Sequence, residues 1–574
     1  MSRPREINMP EKMDLTSRSF DDLNDRMLRK LFDINPHSAT AFGMHEPYDN
    51  HLPHGGKKRL EETLDLLEKW YAQAKEISKK ETLSDDQRTS LEVLRVAVDT
   101  QRFSLEDLPL WRMYPDGLEM PGSLLLTMMS REYGTVESRF KAISSRIGEL
   151  PRYLEEFRER FEGNKPVKLW TEMSINTCKG FPDFLKFLIE HAEGKITQGT
   201  RGRLKRNVEK SIPELEKHLI WLRSLLGGAV EDFQVGKDTF AKLLRVRGME
   251  YTADEMLKIA HRYLTELKKE RAKIAKRMSA QGTLERAYEI IWADSPSDFE
   301  GVLAETEHQI DAAKAFIKKH DLVTLEEGVV LHVLETPDFL RQAIPFAVLD
   351  MPAPFERVQT GLYIETRPSK PEDLAPMWNR AMIVNTAVHE AYPGHFHQGV
   401  LSNKKPWMHQ LLQFLMSFDT IVTAYETQEG WAHYCEKMTY DQGFERTDAA
   451  AIIMLDAGIW RAVRVIYDIK LAYGEATIDE MVDLLSKEAM IPEAVARDDV
   501  QGFSRTPGYP VSYLIGRHMV FELRKELQRR LGNKFDLKKF HDQLAMNGNL
   551  PFFLAREAVS KGMGVNGDPI RKLL

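Results

Sequence analysis

The segment NTAVHEAYPGHFHQ, residues 385–398, carries the side chains of a metal-assisted hydrolase in an unusual order. His389 is followed at once by Glu390, as in the H-E-x-x-H pattern, where two histidines four apart share an ion and the glutamate acts as base. Here position 393 is proline and the next histidine is His395. On a straight helix, six residues amount to about 9 Å of rise and a phase difference of about 120°, so the two imidazoles could not share an ion. Pro393 has no N–H to bond the His389 carbonyl and crowds the preceding turn, while Gly394 tolerates backbone angles that other residues resist. The helix must deform, and a bulge that absorbs two residues would return His395 to the face of His389. His397, about 12 Å along an undistorted axis, takes a secondary place lining the cleft.

A site with two histidines needs a third protein ligand, commonly glutamate. YETQEGWAHYCE, residues 425–436, offers Glu429, with Glu426 on almost the same helical face, and periodicity alone does not choose between them. Gly430 favours Glu429, because a missing side chain lets another backbone approach closely. Glu436, two turns beyond Glu429, can accept a hydrogen bond from a ligand histidine; His433 either lines the site or is an ordinary satisfied histidine. A third patch, SRTPGYPVSYLIGRH (504–518), sets Tyr509 and Tyr513 at a helix start with Arg517 one turn on. A tyrosine hydroxyl can donate to an oxyanion, and Arg517, with Arg505, is a candidate anchor for a substrate carboxylate.

Most of the chain that must position these groups reads helical. ESRFKAISSRIGELPRYLEEFRERFE (137–162) and YTADEMLKIAHRYLTELKKERAKIAKRM (251–278) carry apolar residues at three and four spacing, the second opening with Thr252 and Glu255 in capping-box register. Similar patterns fill roughly 18–34, 57–80, 84–104, 197–226, 297–319 and 405–472. Between about 328 and 367, GVVLHVLE and TGLYIET alternate as strands around the proline-rich LDMPAPFER, which predicts a small sheet next to the metal-binding helix. The chain divides into an N-terminal helical part, 1–245, and a part carrying the chemistry, 246–574, with a soft boundary at LLGGAVEDFQVGKD; one interwoven domain fits equally well.

The 574 residues are 42% hydrophobic and 29% charged, an ordinary balance for a folded globular chain. The net charge of −7 is interspersed, as in KKRLEETLDLLEK, so no basic face for nucleic acid emerges. Cys178 and Cys435 are too few for a disulfide framework or a cysteine metal site, so any metal falls to His and carboxylates. No stretch approaches 18 uncharged apolar residues, and MSRPREINMPEKMDL lacks the apolar run of a signal peptide. The expectation is a cytoplasmic protein without membrane contact, monomer or homodimer.

VHEAYPGH (388–395), EGWAHYCE (429–436) and PGYPVSYLIG (507–516) together resemble the bacterial and archaeal proteins catalogued as domain of unknown function 885; NPHSATAFGMHEPYDNHLP (35–53) is similar to that family's opening motif. The resemblance spans essentially the whole chain. It implies a mainly α, large helical fold around a deep central cleft, related to the glutamate-zincin metallopeptidases. It further implies one zinc ion on His389, His395 and Glu429, Glu390 as general base, and Tyr513 and Tyr509 steadying the intermediate. The GLYIET strand would be the edge along the cleft that pairs with substrate backbone. The chain departs from the family in having His433 where leucine is common, and Phe396 where a second histidine often follows His395.

The function expected is a zinc-dependent metallopeptidase of short peptides, of carboxypeptidase or oligopeptidase type. The rival expectations are a zinc hydrolase of another amide or ester, and a non-catalytic helical protein that holds a metal structurally.

Overall fold

The computed structural model describes residues 18–337, 346–415 and 424–565, together with residues 341 and 344. The opening MSRPREINMPEKMDL and residues 416–423 of the 405–472 stretch lie outside them. Helices begin where capping chemistry places them. Thr252 Oγ1 accepts from the Glu255 N–H (3.3 Å) and Glu255 accepts from the Thr252 N–H (2.9 Å), starting the helix Ala253–Met278. The other expected helices are Arg18–Ile34, Lys57–Ser78, Asp85–Glu106, Val136–Glu159, Gln198–Leu225 and Phe299–His320. The 405–472 stretch divides: Glu426–Gln442 stops at Gly443, whose φ of 104° suits glycine, and Asp448–Tyr473 starts after the Thr447 cap. That second helix is buried around nearly its whole circumference and runs through the interior.

The sheet has strands β1 (Val330–Glu335), β2 (Ala347–Asp350) and β3 (Thr360–Glu365) in the order β1-β3-β2. β3 pairs parallel with β1 (Leu334 opposite Ile364) and antiparallel with β2 (Val348 opposite Ile364). The GLYIET strand is therefore central, and the expectation that it offers a free edge to substrate is corrected: both of its hydrogen-bonding edges are occupied within the sheet. Alternation buries both its faces. Leu362 and Ile364 join the core of the N-terminal helices, while Tyr363 joins the main core together with Val388 and Trp431.

That main core draws on both sides of position 245. It contains Val167, Trp170 and Phe240 as well as Val388, Phe396, Trp431, Leu514 and Ile515. Among the described residues, no helix is long and apolar enough to cross a membrane. The result is a mainly α protein with one small sheet.

Candidate metal centre

The helix that carries His389, Arg380–Glu390, starts where the Asn379 side chain accepts from the Met382 N–H (2.9 Å). It ends because Pro393 cannot supply the next N–H. The expected bulge in a continuous helix is instead a complete break. Ala391 leaves helical geometry (φ −102°, ψ −85°), and a separate helix, His395–Ser402, starts at the second histidine. Gly394 passes so close to the first helix that a Cβ there would lie 1.7 Å from the His389 carbonyl oxygen. The indole N–H of Trp431, fully buried, bonds the Pro393 carbonyl (2.8 Å) and holds the turn in place. The break brings the two imidazoles to a centroid distance of 4.8 Å at 90°.

Glu429 comes from the helix Glu426–Gln442, which crosses the helix Val511–Leu531 at backbone contact. A Cβ on Gly430 would lie 2.4 Å from the Gly516 carbonyl carbon, and one on Gly516 would lie 2.2 Å from the Glu426 carbonyl oxygen. Two glycines thus set the depth at which Glu429 meets Tyr509 and Tyr513. The structure separates the two rival glutamates. Glu426 is buried in an ion pair with Arg247, whereas Glu429 Oε2 lies 3.3 Å from His395 Nε2 and 3.8 Å from His389 Nε2.

One ligand atom from each of His389, His395 and Glu429 lies within 4.8 Å of the other two. Tetrahedral zinc with bonds of roughly 2.0–2.1 Å separates its ligands by roughly 3.3 Å, so a small inward adjustment suffices. Glu429 Oε2 is buried with no hydrogen-bond partner, while its other oxygen accepts from Tyr509 Oη (2.7 Å). On the far side of His389, Nδ1 donates to Glu436 Oε1 (2.7 Å), which leaves Nε2 facing the cluster. The donor set, its spacing and the orphaned oxygen all suit a divalent cation.

The electrostatics agree. Burial opposes charge on Glu429, but His395 and His389 outweigh it and hold the carboxyl well below its usual range. Burial likewise opposes Glu436, and His433 and Arg461 hold it low. Burial alone would lower His389, yet the two carboxylates flanking it raise it to about 9.

Glu390 ends the first helix and is buried close to β3. Its charge adds to the burial that lifts Glu365 to about 8 and Tyr363 well above its usual value. Tyr513 Oη lies 3.4 Å from Tyr509 Oη. Gly508 takes a φ of 84°, and Asp468 receives the Gly508 N–H (2.9 Å) and Val511 N–H (3.3 Å), fixing the turn that carries both tyrosines. His433 is fully buried, 3.2 Å from Glu436 Oε2 through Nδ1, and accepts from Arg517 through Nε2 (3.0 Å); burial first of all lowers it to about 3.

Other expected site residues lie elsewhere. His397 does not line the site: its Nε2 bonds the Thr324 carbonyl (2.7 Å) and it is 1% exposed. Arg517 is 3% exposed behind His433, and Arg505 pairs with Glu119 (2.7 Å) and Tyr114, so both guanidinia are engaged inside the protein. The sequence reading missed Trp431 and Arg461, which reaches within 3.7 Å of Glu436 Oε1. Trp431 stands beside Glu429 and Gly430 in one motif, a signal that could have found it; Arg461 lies outside every motif. A cavity of about 420 Å³ lined by Glu250, Tyr251, Glu522, Lys525, Glu526, Arg529 and Arg556 includes none of the cluster residues.

No curated protein matches the chain. Two solved structures share its fold. A protein of unknown function from Shewanella oneidensis, described as a lipoprotein, superposes with a TM-score of 0.73 at 18% identity, covering 94% of this chain and 99% of the other. A protein from Colwellia psychrerythraea, also described as a lipoprotein, gives 0.80 at 18% identity, covering 96% and 99%. At that identity the likeness concerns the fold alone. The sequence match is more specific: with residues 36–559 matched, this chain belongs to the family described as bacterial protein of unknown function, DUF885.

Proposed function

We propose that the chain is a zinc-dependent metallopeptidase of short peptides. The observation that carries this reading is the convergence of His389, His395 and an unpaired Glu429 oxygen within 4.8 Å, with Glu390 adjoining the first ligand. Two imidazoles and one carboxylate are the donor set of many catalytic zinc sites, which leave a fourth position open. Zinc held there would supply Lewis acidity, polarising a carbonyl and lowering the pKa of a water towards neutrality.

The protein's own residues divide the remaining work. Glu390, on the helix turn of His389, accepts the water's proton on its carboxylate and passes it to the leaving amine. Glu436 fixes the tautomer and tilt of His389, and Tyr509 holds one oxygen of Glu429, leaving the other for the ion. The Tyr509 hydroxyl is committed to Glu429 at 2.7 Å, whereas Tyr513 donates to Tyr509 only over 3.4 Å, so the Tyr513 hydroxyl is the one able to turn and donate to the oxyanion that develops on the substrate.

The test is Glu390→Gln, assayed on a mixed peptide library with zinc content measured in parallel. Retained zinc with a rate lowered on the order of 10²- to 10⁴-fold is expected. Normal turnover by this variant removes the mechanism.

A further inference from the structure

We propose that Arg461 forms a carboxylate-binding subsite beside the metal cluster and takes a free carboxylate of the substrate. The choice of a peptide carboxylate as ligand rests on the peptidase reading; the presence of an anion subsite rests on the geometry alone.

Arg461 lies on the interior helix Asp448–Tyr473, where neighbouring arginines are closed off by acids. Arg464, one turn on, is held by Asp499 through Nε (3.1 Å) and Nη2, and Arg271 is held by Asp456. Arg461 has no such partner. Its Nη1 makes a long bond of 3.4 Å to the Ala457 carbonyl of its own helix, and its Nε is buried with no partner. Among the described residues its ion pair is with Glu436 alone, at 3.7 Å. The same carboxylate accepts from His389 at 2.7 Å and lies 3.2 Å from His433. Glu436 Oε1, the oxygen nearest Arg461, is therefore already engaged by His389. Arg517, buried nearby, is turned to His433 at 3.0 Å and leaves Arg461 as the guanidinium nearer the cluster. A guanidinium with a buried, unpartnered Nε and only a long ion pair keeps donors for a charge-assisted, bidentate contact with a carboxylate.

Its position gives the anion a purpose. The guanidinium stands 5.9 Å from the Tyr513 ring centroid, and the Tyr513 hydroxyl leads through Tyr509 to Glu429. Through Glu436 it is also one residue removed from His389. The route through Glu436 is the shorter, with legs of 3.7 Å and 2.7 Å to the His389 ring, about the reach of two extended residues at roughly 3.5 Å each. The side chain keeps 15% exposure, more than any of the three cluster ligands. A carboxylate seated on it would belong to a residue next to the bond being cleaved.

Zinc-loaded Glu390→Gln protein, in which turnover is suppressed, is titrated calorimetrically with acetyl-alanyl-phenylalanine, its carboxamide, and the carboxamide of acetyl-alanyl-aspartate. Either carboxylate-bearing ligand is expected to bind roughly 10- to 100-fold more tightly than the neutral amide, the gain of a charge-assisted bidentate contact. The first acid arm reports a terminal carboxylate and the second a side-chain one. Adding Arg461→Gln is expected to erase the preference, and Arg461→Lys to restore part of it, with zinc stoichiometry unchanged in both. Equal binding of acids and amide before Arg461 is altered, no binding of any of the three, or an intact preference in Arg461→Gln, overturns the proposal. Hydrolysis of the same peptides by the unaltered chain judges the peptidase reading separately: discrimination without cleavage keeps the subsite and discards the reaction.

Discussion

Gly394→Ala is a one-methyl test of the broken helix. A Cβ at 394 would lie 1.7 Å from the His389 carbonyl oxygen, 2.4 Å from its carbonyl carbon and 2.4 Å from the Val388 oxygen. All three are backbone atoms and cannot rotate away. Non-bonded heavy atoms settle at roughly 3.5 Å, so the turn must move by more than about 1.5 Å. Metal sites tolerate displacements of about 0.2 Å, and the residue after Gly394 is the ligand His395. The substitution should weaken zinc binding by at least about 100-fold, beyond the effect of most second-shell changes, and destabilise the fold by about 1–3 kcal/mol through overpacking. Gly502→Ala is the control. It lies inside the helix Glu493–Ser504 with nothing within 4 Å of its Cβ, and alanine there should stabilise by about 0.5–1 kcal/mol without touching zinc. Competition with a chromophoric chelator measures the affinity and thermal melting the stability. Zinc affinity within about threefold of the unaltered protein in Gly394→Ala would refute the reasoning, because that is under 1 kcal/mol.

Two further predictions concern groups behind the cluster. Tyr509→Phe removes the 2.7 Å bond to Glu429 and Glu436→Gln weakens the bond to His389; each should lower zinc affinity about 10- to 100-fold, and an unchanged chelator titration would remove these residues from the site. Burial, reinforced by Glu390, raises Glu365 from its ordinary 4.5 to about 8 against its bond from Thr306. The native state then binds more protons than the unfolded chain between those two pKa values, so this group's contribution to stability falls as pH rises from about 4.5 to about 8. Glu365→Gln, which mimics the protonated acid, should raise the melting temperature relative to the unaltered chain at pH 9 and hardly at pH 4. An equal difference at both pH values would contradict the buried acid.

The parts of the site that were legible in sequence are those fixed by local chemistry. Pro393 and Gly394 announce a distortion between the histidines, but a bulge and a full break begin with the same missing N–H, and only the Trp431 contact and the start of a new helix at His395 decide between them. Gly430 pointed to a close backbone, found at Gly516. The exclusion of Glu426 depended on Arg247, some 180 residues earlier in the chain, and no local pattern reports such a pair. Alternation identified β3 as a strand but says nothing of its neighbours; β2 is four residues long beside a proline-rich turn, so the central place of β3 was hidden. Spacing from His389 gives His397 only a secondary place lining the cleft, and it cannot show that the new helix turns the ring to Thr324 instead. Arg461 lies on a helix buried all round, where periodicity cannot separate one face from another.

The most direct measurement is the zinc content of the purified, zinc-loaded chain beside its His395→Ala and Glu429→Ala variants, by inductively coupled plasma mass spectrometry. The account predicts close to one ion per chain in the unaltered protein and almost none in either variant, with helical circular dichroism preserved. Zinc retained by the variants, or absent from the unaltered chain, would contradict it.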